Sequence, residues 1–136
     1  MSILVDSSVL LDIFTDDPVW AAWSEEQLAT LDRNHQLFIN DMVWAECSSA
    51  FNRIEDYSDV IARMGFSHRR IPKEALFLAA KAFVTYRRAG GTKTAPLPDF
   101  FIGAHAAVEG MTLLTRDPKR VRTHFPRLSL ISPTVE

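Results

Sequence analysis

The sequence has little cysteine and no long hydrophobic run. Cys47 is the only cysteine among 136 residues, so the chain cannot close an internal disulfide. No apolar run approaches the roughly 18 residues of a membrane helix, and the chain does not open with a basic segment followed by an apolar one. These features argue against a disulfide-stapled secreted domain. We therefore expect a soluble protein of the reducing cytoplasm that does not associate with a membrane.

An excess of positive charge is also missing. The chain carries 15 Lys and Arg against 17 Asp and Glu, which gives a net charge of −2. This balance excludes a protein that coats nucleic acid through bulk positive charge, so any such contact must be local. By contrast, 47% of the residues are hydrophobic and 10% are aromatic, enough for a core without disulfides or metals. With no repeat or linker in view, we predict a single domain over residues 1–136.

Segments typical of strands and helices alternate along the chain. The apolar run at residues 3–5 shows no polar alternation, as in a strand covered on both faces. Similar strands are predicted at 36–40, 111–115 and 128–132. The clearest helix starts after Pro72 and stops at Gly90, whereas residues 57–70 show no defined pattern. This alternation predicts an α/β fold, a three-layer α/β/α sandwich with a mostly parallel central sheet.

Four acidic residues stand where such a fold would bring them together. Asp6 and Asp117 each follow a predicted strand, at the sheet edge where open α/β proteins bind ligands. Glu46 faces inward from a helix that Asp41 is expected to cap, and Asp99 begins the helix before the third predicted strand. Carboxylates gathered in a small space repel one another unless a cation compensates them. Oxygen ligands suit Mg²⁺ or Mn²⁺, and the His and Cys spacing of a zinc site is absent.

Each of these acids also has an ordinary structural interpretation. Asp99 follows a proline and Asp117 precedes one, and both positions are common for helix caps and turns. Asp6 could cap the helix that follows it, and Glu46 could pair with an arginine. The hypothesis of a metal site therefore depends on the set of four and on no single member.

Four segments resemble the ordered motifs of PIN-domain ribonucleases, particularly the VapC-like toxins of toxin-antitoxin pairs. The segments are ILVDSSVLLDIF, VWAECSSAF, LPDFFIGAHAAVEGMTLLTRD and FPRLSLISP. The third is the most specific, because it has an Asp-headed helix, a glycine stop and a strand ending in Thr-Arg-Asp in the expected order. The sequence departs from the family pattern at Ser7 and Ser8, where Thr and Asn are frequent, and at Asp117, where many relatives have Asn.

The resemblance implies a fold, an activity and a set of site residues. The acidic site of the family corresponds to Asp6, Glu46, Asp99 and Asp117, with hydroxyl support from Ser7 and Thr115. The implied activity is metal-dependent endoribonuclease cleavage, in which Mg²⁺ or Mn²⁺ is held by Asp6, Asp99 and Asp117 while Glu46 orients or deprotonates the attacking water. The implied partners are an RNA substrate, a cognate antitoxin protein and a second copy of the chain.

Two basic clusters are candidates for holding RNA. They comprise Arg87, Arg88 and Lys93 in one segment and Arg116, Lys119 and Arg120 in another. Either cluster could grip phosphates beside the acidic site, or could simply be a solvated surface. His105, inside an Ala-rich helix, is interpreted as a core or surface residue and not as a catalytic base.

Two other function classes remain open from the sequence. One is a non-enzymatic domain, either a receiver or interaction domain whose acids bind Mg²⁺ for signalling or an inactive PIN-like scaffold that binds RNA or a partner without cleaving. The other is a phosphatase of the haloacid-dehalogenase type, in which a nucleophilic Asp after the first strand is followed two residues later by an acid. Ser8 stands at that second position. The phosphatase is therefore the weaker alternative.

Overall fold

The computed structural model of the protein describes residues 1–94 and 97–133. In the described residues, five strands alternate with seven α-helices. The strands are β1 Ser2–Val5, β2 Gln36–Ile39, β3 Phe66–His68, β4 Thr112–Leu114 and β5 Leu130–Ile131. The helices are α1 Ser7–Phe14, α2 Ala21–Leu31, α3 Asp41–Cys47, α4 Ile54–Arg63, α5 Lys73–Arg88, α6 Pro98–Glu109 and α7 Lys119–His124. No helix in these residues is long and apolar enough to cross a membrane.

The strands form one parallel sheet in the order β3-β2-β1-β4-β5. Ile3, Leu4 and Val5 of the central strand β1 are all fully buried, although successive side chains point to opposite faces. Helices therefore cover both faces of the sheet, and the predicted α/β architecture is confirmed. The chain moves outward from β1 through β2 to β3 and then returns to the other side of β1. This reversal makes the carboxyl ends of β1 and β4 the switch point of the sheet, where ligands usually bind.

A buried polar pair joins the start of α3 to α6. The Asn40 side chain accepts a hydrogen bond from the Val43 N–H at 3.0 Å and so caps α3, the position that sequence reasoning gave to Asp41. The Asn40 Nδ2 lies 3.1 Å from His105 Nδ1, and His105 Nε2 lies 2.6 Å from a Glu109 carboxylate oxygen. A neutral imidazole satisfies both contacts, and burial lowers the pKa of His105. His105 is thus a core residue, as expected, and it helps to hold α3 against α6.

Close packing also brings the end of α7 against the middle of α6. Gly103, in the middle of α6, faces Phe125, and a Cβ added at Gly103 would lie only 2.7 Å from the Phe125 ring. Any side chain at Gly103 would push Phe125 away. The absence of a side chain therefore lets the chain after α7 pack directly on α6.

The least anticipated part of the fold is the region between α3 and α5. Residues 57–70 contain most of α4 and all of β3, an edge strand of three residues. Only Phe66 of β3 is buried, while Ser67 and His68 are exposed. A strand this short and this polar carries almost no apolar pattern, which explains why the sequence did not reveal it.

Candidate active site

A cavity of about 340 Å³ lies at the switch point of the sheet. It is lined by all four predicted acids, Asp6, Glu46, Asp99 and Asp117. Asp6 directly follows β1, and its N–H donates to the carbonyl of Leu114 at the end of β4 (2.9 Å). The other three come from α3, from the first turn of α6 and from the loop after β4. The structure thus brings together four residues separated by as many as 111 positions.

Hydroxyl groups fix the orientation of the Asp6 carboxylate. Thr115 Oγ1 and Ser8 Oγ both donate to its Oδ2, each at 2.8 Å. Ser7 Oγ makes only a long contact of 3.5 Å with Asp6 Oδ1 and donates mainly to Glu46 Oε1, at 2.7 Å. Ser7 and Thr115, which the family resemblance singled out, therefore contact the acids. Ser7 contacts chiefly Glu46, and Ser8 supplies a contact with Asp6 that was not anticipated.

Burial and the neighbouring acids both raise the pKa values of Asp6 and Glu46. The pKa of Asp6 is raised, mainly by burial and further by the charge of Asp99, even though its bonds from Ser8 and Thr115 act in the opposite direction. Burial also raises the pKa of Glu46, with further contributions from Asp6 and Asp99. Such shifts mean that the charged forms of these two carboxyl groups are disfavoured when no cation is bound. A bound cation would relieve the repulsion between the acids.

One internal cation already contacts the acids. Arg120, on α7, donates to the Asp99 carboxylate at 3.0 Å. Both side chains are partly exposed, at 42% for Arg120 and 30% for Asp99, so the pair is weakly held. Asp117 lies on the cavity wall, and its N–H donates to Thr115 Oγ1 at 3.1 Å. The same threonine therefore contacts two of the acids.

A second ion pair anchors the loop that carries Thr115 and Asp117. Arg116 donates to Asp12 of α1 through Nε at 3.1 Å and through Nη2 at 3.0 Å, and Ser24 Oγ donates to the same carboxylate. Asp12 is only 2% exposed. Arg116 also lines the acid cavity, but this two-fold contact with Asp12 reduces its availability for an RNA phosphate. The pair acts instead as a clamp between α1 and the β4–α7 loop.

The remaining basic candidates separate into two groups. Lys119 and Arg120 line a cavity beside the acids. Arg87 donates to the carbonyl oxygens of Gly91 and Lys93, at 3.5 and 2.8 Å. Neither Arg87, Arg88 nor Lys93 is among the described residues that line either cavity. The structure therefore places the second predicted cluster at the site and leaves the first cluster at the end of α5.

The oxygen atoms at the site are of the kind that bind a hard divalent cation, but the side chains are not arranged around such an ion. Carboxylate and hydroxyl oxygens are the ligands that Mg²⁺ and Mn²⁺ prefer. In residues 1–94 and 97–133, no three His, Cys, Asp or Glu side chains form a ready metal cage. Asp99 is turned toward Arg120 instead. Residues suited to binding such a cation are therefore present, but Asp99 would have to release Arg120 in order to bind the metal.

Ser8 and Asp12 were missed by sequence reasoning. Asp12 interrupts the apolar run of α1, and a buried acid needs a partner. The interruption of the apolar run therefore indicated that Asp12 has a partner. It did not identify that partner as Arg116, which lies 104 positions away. Ser8 gave a weaker signal, since a serine after a strand is common in turns.

Comparisons with known proteins agree with the fold and the motifs. The family model described as the PIN domain matches residues 3–126. A chain of VapBC2 from Rickettsia felis, solved bound to a promoter DNA fragment, superposes with a TM-score of 0.72 at 18% identity, covering 97% of this chain and 98% of that chain. VapBC-1 from nontypeable Haemophilus influenzae gives a TM-score of 0.71 at 17% identity with the same coverage.

A further structural comparison supports the fold and nothing beyond the fold. DNA-bound VapBC from Salmonella typhimurium gives a TM-score of 0.68 at 14% identity, again covering 97% of this chain and 98% of that chain. Comparison with curated protein sequences gave no significant match. The family model spans most of the chain, and the structural similarities independently support the same fold. The protein therefore belongs to the PIN domain family.

Proposed function

We propose that the protein is a metal-dependent endoribonuclease that hydrolyses phosphodiester bonds in RNA. The observation that carries this proposal is the convergence of Asp6, Glu46, Asp99 and Asp117 on one cavity at the switch point of the sheet. Membership of the PIN domain family supports a nuclease, and the motifs resemble those of PIN-domain ribonucleases. Phosphodiester hydrolysis requires an activated water molecule and compensation for the charge that develops on the phosphate.

We assign a role to each acid. Asp6 and Asp99 would be the principal ligands of Mg²⁺ or Mn²⁺, and Asp117 would bind the ion directly or through water. The bound cation would supply Lewis acidity at the phosphate and would lower the pKa of a bound water. Thr115 and Ser8 hold Asp6 in position. Glu46, oriented by the 2.7 Å bond from Ser7, orients the attacking water or accepts its proton.

RNA must be held by local positive charge because the whole chain is slightly acidic. Lys119 and Arg120 provide that charge at the edge of the acid cavity. We assign them to the substrate backbone, where contacts position the strand without reading its sequence. Arg116 has at most an auxiliary role, since Asp12 holds it.

The structural neighbours extend the proposal to the biological setting. Several are chains of VapBC assemblies, and another comes from an assembly described as a toxin-antitoxin complex from Klebsiella pneumoniae. We propose that this protein is likewise the toxin of a cytoplasmic toxin-antitoxin pair, that a cognate antitoxin restrains it, and that it forms a homodimer.

One observation favours a second candidate, a PIN-like scaffold that binds RNA or a partner without cleaving. Arg120 neutralises Asp99 in the structure, and an internal cation of this kind could take the place of the metal permanently. The phosphatase alternative gains no such support. Ser8, where a phosphatase of that type has an acid, donates a hydrogen bond to Asp6.

Cleavage of a panel of structured RNAs in Mg²⁺, in Mn²⁺ and with a chelator tests the proposal. We expect products with either metal and none with the chelator. Glu46→Gln should slow cleavage by about a hundredfold, since a positioned general base typically contributes at least that much. Glu55→Gln makes the same chemical change at an exposed position of α4 and should leave the rate unchanged. RNA binding without any metal-dependent product would identify the scaffold instead.

A further inference from the structure

A second cavity, of about 320 Å³, opens beside the acid cavity and shares part of its wall. Asp99, Asp117 and Arg120 line both cavities. The second cavity is completed by residues of α5 and α7, chiefly Tyr86, Lys119 and His124. Its volume is at the lower end of the range of about 300 to 1,000 Å³ in which small-molecule sites occur. The two cavities are therefore adjacent, and the three shared residues stand between them.

The walls of this second cavity combine positive charge with aromatic rings. Lys119 and Arg120 supply the charge. The Tyr86 and His124 rings are in edge contact at a centroid distance of 6.1 Å, and both pack against the buried ring of Phe100, at 5.6 and 4.9 Å. Phe100 thus supports both rings from the core. Cations beside aromatic side chains are a combination that proteins use to hold single-stranded nucleic acid, with the phosphates on the cations.

Arg120 is the side chain that connects the two cavities. Its guanidinium lies 3.0 Å from Asp99, a proposed metal ligand, and also forms part of the wall of the second cavity. The pair is partly exposed, so water readily replaces either partner. A cation bound by Asp99 would compete with Arg120 for that carboxylate, and a phosphate in the second cavity would compete with Asp99 for Arg120.

We propose that the second cavity is the subsite for the nucleotide next to the cleaved bond, and that Arg120 exchanges Asp99 for the phosphate of that nucleotide, which frees Asp99 for the metal. This inference rests on the proposed nuclease function and specifies how the site exchanges its internal cation for its ligands. Arg120 then has opposite effects on the binding of the two ligands. Arg120 weakens metal binding when RNA is absent, and it strengthens RNA binding.

The first arm of the test measures the metal alone. Mn²⁺ is titrated into the metal-free protein without RNA, and its dissociation constant is compared between the wild type and Arg120→Ala. We expect Arg120→Ala to bind Mn²⁺ about threefold more tightly or better, because the competing guanidinium is gone. Arg122→Ala is the matched control, since Arg122 is on the same helix, donates to Ser132 and lines neither cavity in the described part of the chain. Its Mn²⁺ affinity should stay close to that of the wild type.

The second arm measures RNA binding by fluorescence anisotropy, with a labelled single-stranded 12-mer and a chelator that prevents cleavage. Arg120→Ala should weaken binding by about threefold or more and should reduce the slope of log affinity against log salt by about one, as expected for a lost phosphate contact. Arg120→Lys keeps the charge and should restore most of the affinity. Arg122→Ala should have a smaller effect than Arg120→Ala.

The outcomes separate this inference from the nuclease proposal because neither arm requires turnover. Unchanged or weaker Mn²⁺ binding in Arg120→Ala overturns the inference, and so does RNA affinity equal to that of Arg122→Ala. If both arms behave as expected and the wild type cleaves no RNA, the subsite stands and the nuclease function fails. If the wild type cleaves RNA and either arm fails, only the inference is lost. Thermal unfolding of Arg120→Ala and Arg120→Lys checks that each variant is folded.

Discussion

Replacing Asp6 with asparagine is expected to reduce metal-dependent RNA cleavage by at least about a hundredfold, equivalent to about 2.7 kcal/mol in activation free energy. Asp6 is the acid that the fold positions most firmly, with Thr115 and Ser8 both donating to its Oδ2. The amide oxygen of Asn can accept the same two bonds, so the geometry is preserved. The negative charge that holds a divalent cation is lost. Initial rates in saturating Mg²⁺ and Mn²⁺ measure the effect.

The stability of the same variant distinguishes loss of function from loss of structure. The pKa of Asp6 is raised by burial and by Asp99, so its charged form is disfavoured in the metal-free fold. The unfolding midpoint of Asp6→Asn without metal should therefore equal or exceed that of the wild type. Asp59→Asn, an identical change at an exposed residue of α4, should keep full activity. Full activity in Asp6→Asn would remove Asp6 from the site.

The largest effect on stability is expected at the clamp between Asp12 and Arg116. Arg116→Ala leaves the Asp12 carboxylate buried, with Ser24 as its remaining side-chain donor. Asp12 is buried although Arg116 is 31% exposed, so removing Arg116 leaves a buried carboxylate without its cation, at a cost of about 3 kcal/mol in the free energy of unfolding. For a chain of this length that corresponds to a fall of roughly 10 °C in the unfolding midpoint. Calorimetry or chemical denaturation measures it.

A double variant tests whether the loss comes from the orphaned charge. Asp12→Asn combined with Arg116→Gln is neutral and retains an acceptor for Ser24. This double variant should recover at least half of the stability lost in Arg116→Ala, as expected for two residues that act as a pair. The Arg116→Ala protein that remains folded should also cleave RNA more slowly, because Thr115 and Asp117 are the neighbours of Arg116 in the loop that the ion pair anchors. A single variant as stable as the wild type would contradict the clamp.

The parallel sheet and the meeting of the acids at its edge followed from local pattern. The apolar segment at residues 3–5 predicted a buried parallel strand, and the structure has β1 at the centre of the sheet. Because parallel strands end at the same edge, residues just after β1 and β4 had to meet there. The glycine stop of α6 was also readable, since Gly110 adopts the left-handed conformation with φ of 64°. Hydrophobic periodicity and the positions of residues relative to the strands were sufficient to predict these features.

The partners of individual charges did not follow from pattern. Nothing near Asp12 in sequence indicates Arg116, and nothing near Asp99 indicates Arg120, because each pair is made only when distant elements pack. The same limit applies to Asn40, whose capping role depends on its neighbour His105 in the core as much as on its position before a helix. Sequence reasoning therefore located the acids and the basic cluster but could not assign each cation to its acid.

The family departures at Ser7 and Ser8 leave the contacts of Asp6 intact. Ser8 donates to Asp6, and Ser7 donates to Glu46, so both hydroxyls serve the acids directly. The departure at Asp117 adds a carboxylate to the cavity wall. An extra negative charge favours a divalent cation, and it also increases the repulsion when no cation is bound.

The central claim is that Asp6 and Asp99 hold a divalent cation at the carboxyl edge of the sheet. Anomalous diffraction from crystals grown with Mn²⁺ tests it most directly, because the signal locates the metal itself. We expect a peak between the Asp6 and Asp99 carboxylates, with the guanidinium of Arg120 displaced from Asp99. A crystal saturated with Mn²⁺ that shows no peak in this cavity, or shows Arg120 still paired with Asp99, would contradict it.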